Sequence, residues 1–365
     1  MAGIAAFGAY IPPTRLPLAY LAGRPAKEGG PEKAVAWNDE DSVTMAVAAA
    51  VDCLSGMDRD CVDGVLFAST THAFREKQAA ALIARALDLR GDVRTADYSG
   101  SLRAGVSALR GALDAVSGSD AENILVIASD CRMAAPGSAL EANFGDAAVA
   151  FLVSSENLLA TLLGSHAVAE EIVDVWRSEG APFVHSWEER FVVQEGYLPQ
   201  MAAVVEGLLD KTSTKIADYA RVALYAPDPR SHAALTRKLE AAPRTLEDPL
   251  FRKVGNSGAA FAPLLLAAAL EAAAEGDLLL VAGYGDGAEA MAFQKSGEGR
   301  ACGPSRGVAG HVARRRTVAS YDHYLKARSL TPAEWNRGGD PGLSATVHFR
   351  ERDEDLGFKG QRCRS

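Results

Sequence analysis

A layered α/β fold with a mostly parallel sheet, built from two similar halves, is what the sequence predicts. Up to Ser154, short apolar runs alternate with stretches of helical spacing, the order that places helices over parallel strands. The same grammar returns from Arg221 onward. Each half also contains a long helix, a short apolar strand, a Gly/Asp turn and a further strand in that order, which is the mark of an internal duplication.

From the start of the chain, Gly3 to Ile11 alternates like a strand. Val43, Ala46, Val47, Ala50, Val51 and Leu54 share one helical face, predicting a helix over Glu40 to Leu54. Asp63 to Ser69 is a short apolar run of buried-strand character, Lys77 to Leu89 a helix, and Arg94 to Tyr98 a strand. Ala104 to Val116 is a helix with Val106, Leu109, Leu113 and Val116 on one face; strands Asn123 to Ala128 and Ala147 to Ser154 follow. In the second half, Arg221 to Tyr225 is a strand and Pro229 to Leu239 a helix. The Ala-rich helix Ala259 to Ala274 leads to a strand at Leu278 to Ala282, the turn Gly285-Asp286-Gly287, and a last strand, Ala288 to Phe293. Beyond Cys302 the pattern dissolves, apart from a helix over Ser320 to Arg328.

A chain of 365 residues with 48% hydrophobic and 23% charged residues is long and apolar enough for two cored domains, which excludes disorder as its main state. The net charge of -9 argues against a nucleic-acid or anionic-membrane surface, because phosphates are held by clustered Lys and Arg. The run Arg314-Arg315-Arg316 is short and reads as a solvated turn. Ala259 to Ala274 is interrupted by Pro263; at about 16 residues it falls short of the roughly 20 that a membrane span needs and reads as a core helix. Five cysteines (Cys53, Cys61, Cys131, Cys302, Cys363) are scattered, and Met1 to Tyr20 lacks the basic and apolar regions of an export signal. Thiols in a reducing, cytoplasmic compartment are expected.

Seven segments in order, GIAAFGAYIP, EKAVAWNDEDSVTMAVAAA, DGVLFASTTH, ADYSGSLRAGVSAL, APGSALEANFGDAAVAF, VGNSG and GYGDGAEAMAF, carry a resemblance to the thiolase superfamily. Within it the chain is similar to the 3-hydroxy-3-methylglutaryl-CoA synthases, near β-ketoacyl-ACP synthase III, over roughly residues 1 to 350. The resemblance implies a five-layered αβαβα fold of two pseudo-symmetric halves, here 1–165 and 166–350. It also implies a coenzyme A thioester as substrate or ligand with no other cofactor, and a homodimer pairing through the strand near Asn123 to Ala128. The chemistry it implies is acyl transfer with C–C bond formation or cleavage. A cysteine at the start of the first half's buried helix takes the acyl group, a loop glutamate serves as acid or base, and a histidine and an asparagine of the second half orient the thioester.

Carried over residue by residue, those places hold other side chains. Leu102, ahead of Arg103-Ala104-Gly105, falls on the cysteine, Thr70 on the glutamate and Ala226 on the histidine; Asn256, in Gly255-Asn256-Ser257-Gly258, keeps its identity. Ser101 is either a substitute nucleophile one residue out of register or a helix-capping serine, and Asn256 either a donor to the thioester or a cap. Gly255, Gly258, Gly283, Gly285 and Gly287 are expected to let a pantetheine approach the backbone, so the ligand-binding candidates are Gly255, Asn256, Gly258 and Gly285. His72, His185 and Asp97 lie near strand ends and read as structural, and Cys131 as core. No pair within residues 1 to 362 has metal-ligand spacing.

Residues 351–365 resemble the start of a zinc-ribbon and OB-fold segment, with Cys363 as a ligand whose mate would follow, so a truncated chain or an isolated domain is expected; an incidental cysteine on a mobile tail is the other reading. Two functions remain. One is an acyl-CoA enzyme working without the cysteine, glutamate and histidine. The other is a catalytically silent subunit that pairs with a thiolase and an OB-fold partner.

Overall fold

The structure, a computed structural model, describes residues 2–118, 121–297, 306–331 and 345–357. In the first half the elements are β1 (Gly3–Tyr10), β2 (Thr14–Pro17), α1 (Leu18–Leu21), β3 (Glu32–Ala34), α2 (Ser42–Cys53), β4 (Gly64–Ala68), α3 (Ala79–Ala86), β5 (Arg94–Tyr98), α4 (Ala104–Ser117), β6 (Asn123–Asp130) and β7 (Ala147–Ser154). The second half has β8 (Ala160–Val168), β9 (Val175–Trp176), β10 (His185–Ser186), α5 (Glu189–Phe191), α6 (Leu198–Thr212), β11 (Tyr219–Leu224), α7 (Pro229–Lys238), α8 (Phe261–Ala272), β12 (Leu278–Tyr284) and β13 (Ala288–Lys295). After these come α9 (Gly307–Ala313), β14 (Arg316–Thr317), α10 (Tyr321–Ala327) and a helix over Ala345–Asp355.

The predicted duplication is visible in the hydrogen bonding. One nine-stranded sheet runs β11-β12-β13-β8-β1-β7-β6-β4-β5. In the first half β4 pairs parallel to β6, β6 antiparallel to β7, and β7 antiparallel to β1. The second half repeats those senses with β11 to β12, β12 to β13, and β13 to β8. The counterpart of edge strand β5 has shrunk to a single parallel bridge, Leu246 to Val222. A two-residue ladder, Gly3–Thr161 and Ile4–Ala160, joins the halves.

Five layers follow from which helix covers which face. α2 and α3 cover the outer face of the first half-sheet, α6 and α7 lie outside the second, and α4 and α8 are sandwiched between the two. The middle layer is apolar because both its sides are covered. Nearly every residue of α8 up to Leu270 is buried, and α4 buries Val106, Leu109, Leu113 and Val116, the face its spacing predicts. Phe67, Phe151, Phe261 and Phe293 are fully buried, each contributing about 1.5–3 kcal/mol of apolar burial.

Two expectations change. The sheet is mixed, not mostly parallel: only β11-β12, β6-β4 and β4-β5 run parallel. The last strand of each half, β7 and β13, runs antiparallel to both of its neighbours, which a helix-strand alternation does not reveal. β6 has both edges occupied, by β4 and β7, so it offers nothing to a dimer partner; the open sheet edges are β5 and β11. The expected boundary after residue 165 lies within β8 (Ala160–Val168), the strand that follows β7.

Candidate functional site

α4 begins abruptly. Gly100 adopts a φ of +81°, Ser101 and Leu102 turn inward, and the backbone carbonyl of Ser101 accepts the Ala104 amide at 3.1 Å. Arg103, which opens the helix, makes no side-chain cap, and its amide reaches Ser101 Oγ at 3.4 Å. The amides of Ser101 and Leu102 have no acceptor among the described residues. In front of them lies a cavity of about 440 Å³ whose wall also carries Thr70, Arg132, Asp174 and Gly285. A recess of about 40 Å³ continues behind Leu102 and Arg132 to Tyr225 and Asn256. A second cavity of about 510 Å³ adjoins the first through Thr70, Ser99 and Arg177.

The four carried-over positions converge here. Thr70 and Leu102 line the main cavity, Leu102 and Asn256 the recess, and the Ala226 carbonyl accepts Asn256 Nδ2 at 3.0 Å. Asn256 is nearly saturated. Its other amide proton goes to the Tyr225 hydroxyl at 3.2 Å, and its Oδ1 accepts the Gly258 amide at 2.9 Å. Giving a proton to a ligand means releasing one of these partners. Ser101 faces the cavity, yet no histidine lines that wall to take its proton.

Of the five glycines expected near the ligand, Gly285 is the one that lines the main cavity. A Cβ on it would stand 2.6 Å from Ser101 Oγ and 2.8 Å from Leu102 N, so its lack of a side chain serves the close approach of this turn to α4. Gly258 has a φ of +60°, and a Cβ there would meet Asp130 Oδ2 at 2.2 Å. Gly255 packs against Gly145 of the other half. At Gly255 and Gly258 the missing side chain lets other protein atoms approach, while Gly285 both packs against α4 and lines the cavity.

Three charged residues that the sequence reading passed over define the site. Asp130, at the end of β6, is fully buried and accepts from the Ser69 hydroxyl, the Thr70 and Thr71 amides and hydroxyls, and the Ala259 amide, at 2.7–3.1 Å. The Thr70 hydroxyl is thereby turned into the wall at 2.8 Å. Arg132 is 6% exposed, with its guanidinium 4.1 Å from the Phe144 ring centre; burial lowers its pKa, against the fields of Tyr225, Asp130 and Asp174. Asp174 lines both the cavity and the recess, and burial pushes its carboxyl up to about 6, opposed by Arg132 and by a hydrogen bond with Tyr284. The pair Asp130 and Arg132 was legible as charge directly after the apolar run NILVIA.

The remaining candidates lie off the main cavity, with His72 and Asp97 lining the second one. His72 sits edge-on to Phe67 and 3.9 Å from Asp97, whose carboxylate caps α3 through the Ala79 and Ala80 amides. His185 stacks on Trp176 at the exposed β9-β10 ribbon. Burial raises the Cys131 thiol to about 12. Cys53, Cys61 and Cys131 are thiols; Cys302 and Cys363, and with the latter residues 358–365 of the expected zinc-ribbon segment, lie outside the described residues. Among the described residues there is no cluster of metal-binding side chains and no helix long and apolar enough to cross a membrane.

Twin half-sheets of one strand order, a middle layer of two buried helices and a cavity at the start of the first define a thiolase-like protein. No known family model matches the chain. Hydroxymethylglutaryl-CoA synthase of Aeropyrum pernix is 30% identical over 303 residues, covering 80% of this chain and 84% of that one. The enzyme of the same name from Methanocaldococcus jannaschii is 29% identical over 304 residues, covering 80% and 88%. The structure of HMG-CoA synthase complexed with CoA superposes with a TM-score of 0.77 over 89% of each chain; at 19% identity this is a likeness of fold. The chain belongs to the hydroxymethylglutaryl-CoA synthase family.

Proposed function

We propose that this protein binds an acyl-CoA in the cavity at the start of α4 and serves carbon–carbon bond chemistry at the thioester without forming an acyl-enzyme. The observation that carries the reading is Leu102. The side chain at the helix start, where aligned amides favour an anionic nucleophile, is a hydrocarbon. Around it Thr70 is tied to Asp130 and Ala226 has no proton to exchange. The binding of CoA by a structural relative supports the ligand class, and Asp174, whose carboxyl burial pushes up to about 6, supports acid–base work on the bound thioester.

A second reading, a silent subunit beside a thiolase and an OB-fold partner, is supported by the replacement of all three reactive side chains at once. A homodimer, if formed through the sheet, pairs at β5 or β11. Labelled acetyl-CoA followed by denaturation and mass analysis tests the central claim. The expected result is no acyl-protein, together with measurable CoA and acetyl-CoA binding by calorimetry. A stable acyl group on Ser101 or any other residue overturns it, and so does the absence of binding. Condensation of acetyl-CoA with acetoacetyl-CoA is expected to be undetectable, since losing one member of a co-operating set already costs several kcal/mol.

A further inference from the structure

We infer that residues 306–331 form an acid-released strap across the first half, pinned at neutral pH by the uncharged imidazole of His311. The strap is one continuous run. α9 packs on β1 and α8, and β14 pairs parallel with β2 through Arg316–Thr14 and Thr317–Arg15. α10 and its flanks then close a small core in which Val318, Tyr324 and Leu330 meet Leu16 and Val35. At the far end the Tyr321 hydroxyl donates to Glu141 at 2.9 Å, and Arg328 pairs with Asp146 at 3.3 Å. Leu140, Asn143 and Phe144, which line the recess, belong to the same loop as those two carboxylates, so the strap braces a wall of the site.

His311 is where protons can act on it. The residue is 4% exposed, its ring stands edge-on to Tyr10 at 5.4 Å, and its Nδ1 is buried with no hydrogen-bond partner among the described residues. An unpartnered ring nitrogen is tolerable while the imidazole is neutral and costly once both nitrogens carry protons. The surroundings sharpen that cost. From β2 the fully buried Arg15 donates to the His311 backbone carbonyl at 3.1 Å. Arg306 and Arg314 flank the ring on the strap itself, and all three arginines oppose a charge on it. β1 presents Tyr10, whose hydroxyl is bonded to Glu40, and α8 presents Glu271, which accepts the Ala309 amide at 3.1 Å. The carboxylate that favours the imidazolium is Asp52 of α2, and it already accepts the Ala9, Arg306 and Gly307 amides at 2.7–3.3 Å. Burial outweighs it and holds the imidazole down to about 4. With the strap open, the ring returns to water and to its ordinary value near 6.5. A histidine lowered by closure binds its proton more tightly in the open form. Closure is therefore fully supported above about pH 6.5 and loses that support as the pH falls towards 4.

Amide hydrogen exchange at pH 7 and pH 5, expressed as protection factors so that the intrinsic pH dependence of exchange cancels, is the test. The Arg316 and Val318 amides, which bond the Pro13 and Arg15 carbonyls at 2.7 and 2.9 Å, report on the strap; the amides of β6, inside the sheet, report on global unfolding. In the native protein, strap protection is expected to fall at least about tenfold from pH 7 to pH 5 while β6 holds. His311→Phe, which keeps an aromatic ring beside Tyr10 and takes no proton, should keep its strap protection over that interval. His323 of α10, exposed and edge-on to Trp37, is retained in the variant, so a fall common to both proteins does not belong to His311. Strap protection that holds in the native protein, falls equally in His311→Phe, or falls together with β6 overturns the switch. Should the variant not fold, titration of the native ring by NMR decides alone. A His311 imidazole still neutral at pH 5 in the closed form, with strap protection lost, supports the switch; a ring that gains its proton near pH 6.5 with the strap closed ends it.

Discussion

α4 and α8 are the same helix of the duplicated fold, each leading into the next-to-last strand of its half, β6 and β12, yet their first turns have opposite fates. At α8 every leading amide is consumed by the protein: Gly258 by Asn256 Oδ1, Ala259 by Asp130 Oδ2 and Ala260 by the Ser257 carbonyl. At α4 the leading amides of Ser101 and Leu102 look into a cavity of about 440 Å³. A helix start is an anion site by its physics; the fold spends one copy on an internal carboxylate and leaves the other facing a cavity. The closed copy also builds the wall of the open one, since Asp130 ties the start of α8 to the Thr70 loop.

The sharpest way to break the comparison is to empty the closed end. Asp130→Ala leaves six donors without their acceptor in a fully buried place, and a loss of about 3–5 kcal/mol is expected from stranding buried polar partners. Denaturant titration measures it, with Asp130→Asn, which keeps one oxygen acceptor, losing less. A loss under about 1 kcal/mol, the scale of a single exposed hydrogen bond, would show that water replaces the carboxylate and that the end is not closed.

Much of this architecture could be read in the residues before any coordinates. β5 and β7 begin and end where their apolar patterns predict, and α4 starts at Ala104 as expected. Period and punctuation are local, and these elements announce them locally. β8 went unread because Gly164 and His166 break its alternation and its side chains are only half-buried; α6 was hidden by Pro199, which is tolerated because it sits in the first turn. The site divides in the same way. Leu102, Thr70, Ala226 and Asn256 were placed by their neighbours in sequence, and the fold brings them together. Arg132, Asp174 and Tyr225 matter through what lies across the recess from each, a relation between β6, the β8-β9 connection and β11 that no local pattern carries.

A smaller effect separates the two helix starts by pH. The open side holds Asp174, whose carboxyl burial raises from 3.8 to about 6. A carboxyl raised by folding binds its proton more tightly in the native state, so the stability it confers is present below about pH 4, drains away as pH climbs to about 6, and stays lost above that. Asp174→Asn should remove this decline, and the gap in melting temperature between variant and native protein should widen from pH 4 to pH 6 and then stay level. A gap that narrows over that interval reverses the sign and puts Asp174 in a stabilising ion pair.

The smallest change in stability, and the most direct probe of the open end, is Leu102→Cys. Leu102 is only half-buried, so trimming it should cost about 1 kcal/mol, at the low end of core truncations. Its chemistry should change far more. The introduced thiol would sit at the start of a 14-residue helix, beside amides with no acceptor among the described residues and on the same wall as the Arg132 guanidinium. All of these favour the thiolate and should bring its pKa below the usual value of roughly 8.5. The resident Cys131 is the internal contrast, since burial holds its thiol near 12. Alkylation by iodoacetamide across pH 6 to 9, followed by peptide mass analysis, should show position 102 modified at neutral pH while Cys131 stays intact. An introduced thiol that reacts only above its ordinary pKa would mean that the α4 amides and Arg132 do not converge on the cavity, and that the two helix starts are closed alike.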